Sequence, residues 1–253
     1  VENAAHRIQV TNSAVDGLVR QKVGFSYSQT ARSDNGVGIF ERPFFSGQSR
    51  QLDYQADLDL TDTNTLTAGA VYYHEQAFAD ASLFDPAEKG NQSMVSGYVQ
   101  DRVTLFENWT TAAGVRWDDH SRAGQAQTYR VTSIYRFEEA GVSVHGSLGT
   151  GFRAPALSEN FFGVNAPFAF TNAGLRPEQS KGWDAGLRKE FAEGKLWVDG
   201  TYYRNDFRDL IIFAFDANTN TFRLSNVGHA RSHGVEVTSG WQVDDRWSLN
   251  ATY

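Results

Sequence analysis

Three adjacent residues have side chains of the kind that bind divalent metals. Asp118, Asp119 and His120 follow one another where a predicted strand ends and a polar loop begins. Carboxylate and imidazole groups are common metal ligands. However, consecutive side chains of an extended chain point to opposite faces, so all three cannot easily converge on one ion. We therefore interpret the cluster as the solvated rim of a loop and predict no metal site there.

Two further groups of acidic and amide residues lie in predicted long loops and could chelate calcium through oxygen. The second group alternates like a calcium-binding loop but lacks the glycine and the distal glutamate of such a loop. A turn rich in Asp and Asn explains the same pattern. Calcium therefore stays an open alternative, and no other cofactor is predicted. The residues are Asp80 and Asp85 in one loop, and Asp216, Asn218 and Asn220 in another.

The sequence offers no pattern for covalent catalysis. The absence of cysteine excludes a thiol nucleophile, a disulfide framework and a zinc knuckle. No serine has the context of a nucleophile elbow. The glycines of residues 149–151 are not followed by the helix and lysine of a phosphate loop. His229 and His233 lie on or beside a predicted strand, where about 13 Å separates them. We predict that the protein is not an enzyme.

The net charge bears on the partners. It is −7, and nucleic acid needs a basic face, so we predict no nucleic-acid partner.

Apolar and polar residues alternate with a period of two along most of the chain. Clear examples are KVGFSYS at 22–28, QLDYQADLDL at 51–60, WTTAAGVRW at 109–117 and VSVHGSL at 142–148. Successive strand side chains point to opposite faces, so each segment presents one apolar and one polar face. His145 falls on the polar face. The pattern predicts an all-β protein of about twelve antiparallel strands.

Short and long connections interleave strictly between these strands. Such asymmetry is typical of outer-membrane barrels, which have short periplasmic turns and long extracellular loops. A soluble β-sandwich does not interleave them by default. The predicted turns are 62–64, 107–108, 138–141, 192–194 and 244–245, and the predicted long loops are 31–47, 77–91, 119–125, 153–179 and 209–221.

Strand length and aromatic placement agree with a barrel that crosses a membrane. Several predicted strands have 11 to 15 residues, whereas about 10 tilted residues cross a bilayer. No window approaches the roughly 18–20 continuous apolar residues of a membrane helix. All six Trp residues lie in strands or at their ends. We therefore predict that they form an aromatic girdle at the level of the lipid headgroups.

The segment 149–191 resembles the barrel of TonB-dependent outer-membrane receptors. The elements GFRAP at 151–155 and LRPE at 175–178 carry the resemblance. Three weaker stretches follow the family order: GYVQD at 97–101, AGVRW at 113–117, and residues 226–236. The resemblance implies a transmembrane barrel of 22 strands, of which about twelve are present here. It also implies an N-terminal plug, which contacts the TonB complex, and uptake of a ferric siderophore, cobalamin or a similar scarce nutrient across the cell outer membrane.

The resemblance also singles out residues of the long loop 153–179. Prolines there fix φ and end ladder pairing, so we expect the motif residues to shape the loop base. Exposed aromatic side chains could contact a ligand or form a lid over the barrel mouth, although self-packing of the loop explains them almost as well. The motif residues are Arg153, Pro155, Glu159, Pro177 and Glu178, and the aromatic residues are Phe161, Phe162, Phe168 and Phe170.

We expect residues 1–253 to be a fragment of the barrel domain, without the plug and the C-terminal strands. The expected partners are outer-membrane lipid, a small-molecule ligand and, through the plug, the TonB complex. Two alternatives remain. A general porin or adhesin-type barrel would share the alternation but lack GFRAP and LRPE. A soluble secreted β-sandwich binding module would pack its apolar faces against a second sheet.

Overall fold

The chain forms one large antiparallel sheet and a separate hairpin. The computed structural model describes residues 1–33, 44–80, 88–160, 172–216, 221–226 and 228–253. The strands are β1 Glu2–Ala14, β2 Val19–Ser33, β3 Phe44–Thr61, β4 Asn64–Asp80, β5 Glu88–Leu105, β6 Trp109–His120, β7 Gly124–Phe137, β8 Val142–Arg153, β9 Glu178–Phe191, β10 Leu196–Arg208, β11 Ile211–Asp216, β12 Thr221–Asn226, β13 His229–Gln242 and β14 Ser248–Thr252.

Helical structure is slight in the described residues. A 3₁₀ turn spans Glu138–Ala140, and a single helical turn, α1, spans Leu157–Asn160. No helix in the described ranges has the length and apolar character to cross a membrane.

The main sheet has twelve strands in the order β1 to β10, then β13 and β14, and the hairpin pairs β11 with β12. Every neighbouring pair is antiparallel. The prediction of about twelve antiparallel strands is therefore confirmed. Among the described pairings, one register irregularity occurs, between Asp59 and Thr61 of β3, so the alternation of faces runs unbroken along the others.

The two faces of the main sheet differ in polarity and exposure. On one face, Asp57, Ser96 and Asp118 are only 9%, 2% and 7% exposed. On the other, Leu187 and Val235 are 50% and 59% exposed. Side chains crowd on the concave side of a curved sheet and spread on the convex side, so we call the polar face inner and the apolar face outer. The apolar surface lies outside, the reverse of a globular domain.

The short turns gather at one end of the sheet. They comprise residues 15–18, 62–63, 106–108, 138–141, 192–195 and 243–247, so the five predicted turns are confirmed and the first had not been predicted. The longer connections follow β2, β4, β8 and β10, at the opposite end, which we call the loop end.

The predicted long loop 119–125 is wrong. Only residues 121–123 separate β6 from β7, and Asp119 pairs with Gln125 inside the ladder. His120 closes this turn, because its Nδ1 accepts hydrogen bonds from the backbone N–H groups of Arg122 at 3.2 Å and Ala123 at 3.0 Å. The interpretation of the cluster as a solvated rim is wrong for two of its members, since Asp118 and His120 lie on the inner face and are buried.

The predicted loop 209–221 is also partly wrong, because it contains β11 and the beginning of β12. The predicted Trp girdle needs one correction. Four of the six Trp residues lie on the outer face, namely Trp109, Trp117, Trp183 and Trp241, and Trp247 is exposed beside a turn. Trp197 instead points inward, where the Arg188 guanidinium lies 4.2 Å from its ring centroid. A cation–π contact of this kind stabilises an inward ring.

Candidate functional site

Arg153 and Glu178 close the base of the long connection between β8 and β9. Arg153 is the last residue of β8 and Glu178 the first of β9, and the two are register partners. Arg153 Nε donates a hydrogen bond of 2.5 Å to Glu178 Oε2. The second oxygen of Glu178 accepts from the backbone N–H of Ile211 at 2.8 Å. One carboxylate thus fixes both the loop base and the start of β11.

Glu159 binds the same guanidinium from α1. Arg153 Nη1 and Nη2 donate to its two oxygens at 3.0 and 3.2 Å, a bidentate arrangement that is stronger and more directional than a single contact. Glu159 Oε2 also accepts from the backbone N–H of Ala156 at 2.7 Å. The Arg153 side chain is 47% exposed, whereas the two carboxylates are 21% and 17% exposed. A single arginine therefore joins β8, β9 and α1.

Pro155 and Leu157 anchor the start of this connection inside the mouth of the sheet. Pro155 is fully buried and Leu157 is 4% exposed. Leu157 lies in a recess with Gly47, Ala77 and Phe78 of β3 and β4. The chain that leaves β8 therefore crosses over the inner face toward strands on the far side of the sheet.

Of the motif residues, the structure brings Arg153, Glu159 and Glu178 together and places Pro155 beside them. Pro177 is half-buried directly before β9 and forms no part of the ion-pair cluster. The predicted ligand or lid residues Phe161, Phe162, Phe168 and Phe170 lie outside the described residues.

A second network, which the sequence analysis missed, holds the hairpin β11–β12 to the loop base. Asn226 Oδ1 accepts from the Arg176 backbone N–H at 2.8 Å, and its Nδ2 donates to the carbonyls of Arg176 at 2.9 Å and Asp209 at 2.6 Å. The side chains of Arg176 and Asp209 form an ion pair. Asn172 Nδ2 donates to the Leu224 carbonyl at 3.1 Å. The only sequence signal was that Arg176 and Asn226 fall inside family-like stretches.

The hairpin presents an aromatic surface at the loop end. Phe213, Phe215 and Phe222 are 54%, 53% and 55% exposed. Phe222 contacts both partners, with centroid distances of 5.7 Å to Phe213 and 5.3 Å to Phe215. The sequence analysis assigned residues 209–221 to a long loop, because nothing in the sequence specifies that β12 returns against β11.

Inner-face side chains form polar contacts both within a strand and between strands. Arg116 binds Asp118 at 2.8 Å and Ser96 at 2.7 Å, and His145 Nε2 lies 2.9 Å from Asp199 Oδ2. The inner position predicted for His145 is confirmed. Arg116 and Asp118 are two residues apart on β6, and His145 on β8 reaches over β9 to Asp199 on β10. These contacts do not form a nucleophile–base arrangement.

Metal-binding groups are sparse in the described ranges, where no three His, Asp or Glu side chains cluster as an ion would require. Asp80 ends β4. Asp85, Asn218 and Asn220 lie outside the described residues, as does the Asp216 side chain. The calcium hypothesis stays a prediction.

A twelve-stranded antiparallel sheet with an apolar outer face, a polar inner face and long connections at one end defines a partial β-barrel of the membrane type. The family comparison agrees. Residues 3–253 match the family described as TonB dependent receptor-like, beta-barrel, and the chain belongs to that family. Its members are receptors and transporters and not enzymes.

Solved structures share this fold. The chain is similar to the siderophore receptor PirA from Pseudomonas aeruginosa, with a TM-score of 0.77, 20% identity and coverage of 99% of this chain and 47% of that one. It is also similar to a variant of the ferric enterobactin receptor PfeA from Pseudomonas aeruginosa, with a TM-score of 0.79, 18% identity and coverage of 99% of this chain and 43% of that one. For the copper transporter OprC, the TM-score is 0.74 and the identity is 17%, with coverage of 99% of this chain and 45% of that one. The chain thus spans less than half the length of these proteins.

Proposed function

We propose that the chain is barrel sequence of an outer-membrane receptor that takes up a scarce nutrient, with a ferric siderophore as the first candidate ligand and cobalamin as the second. The observation that carries this proposal is the opposite polarity of the two sheet faces. An apolar outer face suits lipid tails, and an ion-paired inner face suits a water-filled or plugged lumen.

In the proposed mechanism, the barrel binds the ligand, and the TonB complex supplies the energy for transport. The connections at the loop end capture the ligand, and the Arg153 cluster holds their base in place. The TonB complex then rearranges a plug so that the ligand passes through the lumen. The barrel supplies contacts and a polar surface without covalent chemistry.

The aromatic hairpin favours a siderophore. Exposed Phe rings at the mouth can stack against flat aromatic chelating groups, and two of the similar structures are described as receptors for siderophores or for ferric enterobactin. A ligand contact by Phe161, Phe162, Phe168 and Phe170 belongs to the same proposal. Calcium, bound by loop carboxylates, would accompany the cobalamin alternative.

The proposal is tested with the full-length receptor in the outer membrane of a host that lacks its own siderophore and cobalamin receptors. Uptake of ⁵⁵Fe-loaded siderophores and of ⁵⁷Co-cobalamin is measured with and without TonB. TonB-dependent accumulation of iron supports the siderophore assignment, and accumulation of cobalt selects cobalamin. Ligand passage that is independent of TonB, or no accumulation of either nutrient, would contradict the proposal.

A further inference from the structure

A basic patch lies on the outer face at the loop end, where it would meet lipid rather than the lumen. Lys181, Asp206 and Arg231 are aligned across β9, β10 and β13 by direct register. Arg204 and Arg208 flank Asp206 at spacings of two along β10, so they share its face. Tyr202 of the same strand and its neighbour Trp183 belong to the apolar outer surface, which identifies the face.

The patch carries excess positive charge although the chain as a whole is acidic. Asp206 accepts from Arg204 Nε at 2.9 Å and from Arg231 Nε at 2.6 Å. Within the described part of the chain, no hydrogen bond or ion pair uses the side chains of Lys181 or Arg208. Four cations thus surround one carboxylate, against a net charge of −7 for the whole chain. Inner-face arginines differ, because Arg116 and Arg153 are balanced by carboxylates.

The surroundings of the patch resemble an interface between headgroups and acyl chains. Polar side chains of Gln127, Thr150 and Gln179 line the same recess, whose volume is about 770 Å³. Immediately toward the turn end, Trp183 and Tyr202 pack with ring centroids 5.5 Å apart and are 43% and 39% exposed. Amphipathic rings are typical of the membrane–water boundary. Leu148 and Val235 continue the apolar surface beyond them.

We propose that this patch binds the phosphate groups of an acylated, phosphorylated glycolipid in the outer leaflet. The inference rests on the proposed function, because it needs the outer face to lie in a membrane with long connections outside. Guanidinium groups match phosphate with two parallel hydrogen bonds, and a lysine adds a mobile point charge. Asp206 holds Arg204 and Arg231 in place, while Lys181 and Arg208 supply uncompensated charge. The acyl chains would lie on Trp183, Leu148 and Val235.

The test uses the purified full-length receptor in detergent and a bis-phosphorylated lipid A as the probe, with binding followed by native mass spectrometry. The double variant K181Q/R231Q should lower affinity about 30-fold, as expected for two basic groups near an anionic surface. The matched control K195Q/R246Q removes the same charge from exposed residues in turns at the opposite end. It should bind like the wild type.

Two further arms identify the ligand. Enzymatically dephosphorylated lipid A should bind the wild type as weakly as phosphorylated lipid A binds K181Q/R231Q. Inorganic phosphate at millimolar concentration should not displace the lipid, because it lacks acyl contacts. Equal binding of both lipids, equal loss in both double variants, or displacement by phosphate would each overturn the proposal.

Nutrient uptake separates this proposal from the proposed function. The K181Q/R231Q variant should transport at the wild-type rate, because the patch faces away from the lumen. A wild-type receptor that binds the lipid but transports none of the tested nutrients would contradict the proposed function alone. Thermal unfolding is compared among the wild type and both double variants, and equal unfolding temperatures establish that a difference in binding does not come from misfolding. If K181Q/R231Q unfolds at a lower temperature, it is replaced by R208Q, because Arg208 lies at the strand end.

Discussion

Arg153 and Glu178 face each other across the last rung of β8 and β9, with 2.5 Å between Nε and Oε2. The whole connection of residues 154–177 leaves and returns between these two residues. Glu178 also accepts a hydrogen bond from the Ile211 N–H, and Arg153 also donates two hydrogen bonds to Glu159. The pair therefore couples the long connection to the adjacent hairpin. The ion pair therefore stabilises the geometry of the mouth.

The first prediction concerns Glu178→Gln, which keeps the side-chain shape and removes the charge. We expect the free energy of unfolding to fall by only about 1 kcal/mol, because Arg153 is half exposed. Hydrogen exchange at residues 154–160 and at the Ile211 amide should become faster. Glu190→Gln is the control on the same strand, because the carboxylate of Glu190, which pairs with Arg188, is 44% exposed against 17% for Glu178. It should lower the free energy of unfolding by less than about 0.5 kcal/mol. Equal exchange in the two variants would contradict the coupling.

A second prediction tests which face meets lipid. Val131 and Thr132 are consecutive residues near the middle of β7, opposite outward Leu148 and inward Ser147 respectively. Val131→Arg should lower the free energy of unfolding in lipid vesicles by about 2–4 kcal/mol, because it places a charge among acyl chains. Thr132→Arg should have a much smaller effect, because the inner face is polar. The reverse order would show that the faces are misassigned.

A third prediction concerns Gly186, which lies beneath the pair His145–Asp199. His145 reaches from β8 over β9 to β10, and Gly186 is its register partner. A Cβ at this position would collide with the His145 ring and with Thr201 Oγ1. Gly186→Ala should therefore destabilise the receptor by about 1–3 kcal/mol. At Gly200 a Cβ would meet open space, so Gly200→Ala should be neutral in the same urea-unfolding experiment. Similar midpoints would argue against the close approach.

A fourth prediction concerns Asn226→Asp. The exchange removes the amide donor and turns a carboxylate toward the carbonyl oxygens of Arg176 and Asp209. We expect the free energy of local opening of the hairpin to fall by about 1–3 kcal/mol. Proteolysis between residues 172 and 226 should become faster, with little change in the global free energy of unfolding. Asn250→Asp, on the exposed strand β14, is the control. Unchanged cleavage in both variants would mean that the network does not hold the hairpin.

Much of the fold was readable in the sequence because a membrane barrel is built from a local rule. Each strand alternates apolar and polar side chains, so strand number, the inward position of His145 and the five short turns could be predicted residue by residue. The loop 119–125 was misread because polar residues are typical of loops. Instead, Asp118 and His120 face the inner side, where Asp118 binds Arg116 and His120 caps a tight turn.

The candidate site was predicted in part. The motif drew attention to Arg153, Glu159 and Glu178, but their shared ion pairs depend on the register of β8 with β9 and on the path of α1. Trp197 was assigned to a girdle from its place near a turn, and only the strand pairing showed that it stacks inward on Arg188.

The sequence by itself determined the class of this protein, since alternation, turn residues and the two motif elements are local properties. The tertiary structure decided which residues meet. Lys181, Asp206 and Arg231 are far apart in the sequence, and only antiparallel register places them side by side on the outer face. Likewise, Asn226 reaches Arg176 only because β11 and β12 fold back against the loop base. Such contacts depend on pairing between distant segments, which periodicity within one segment does not encode.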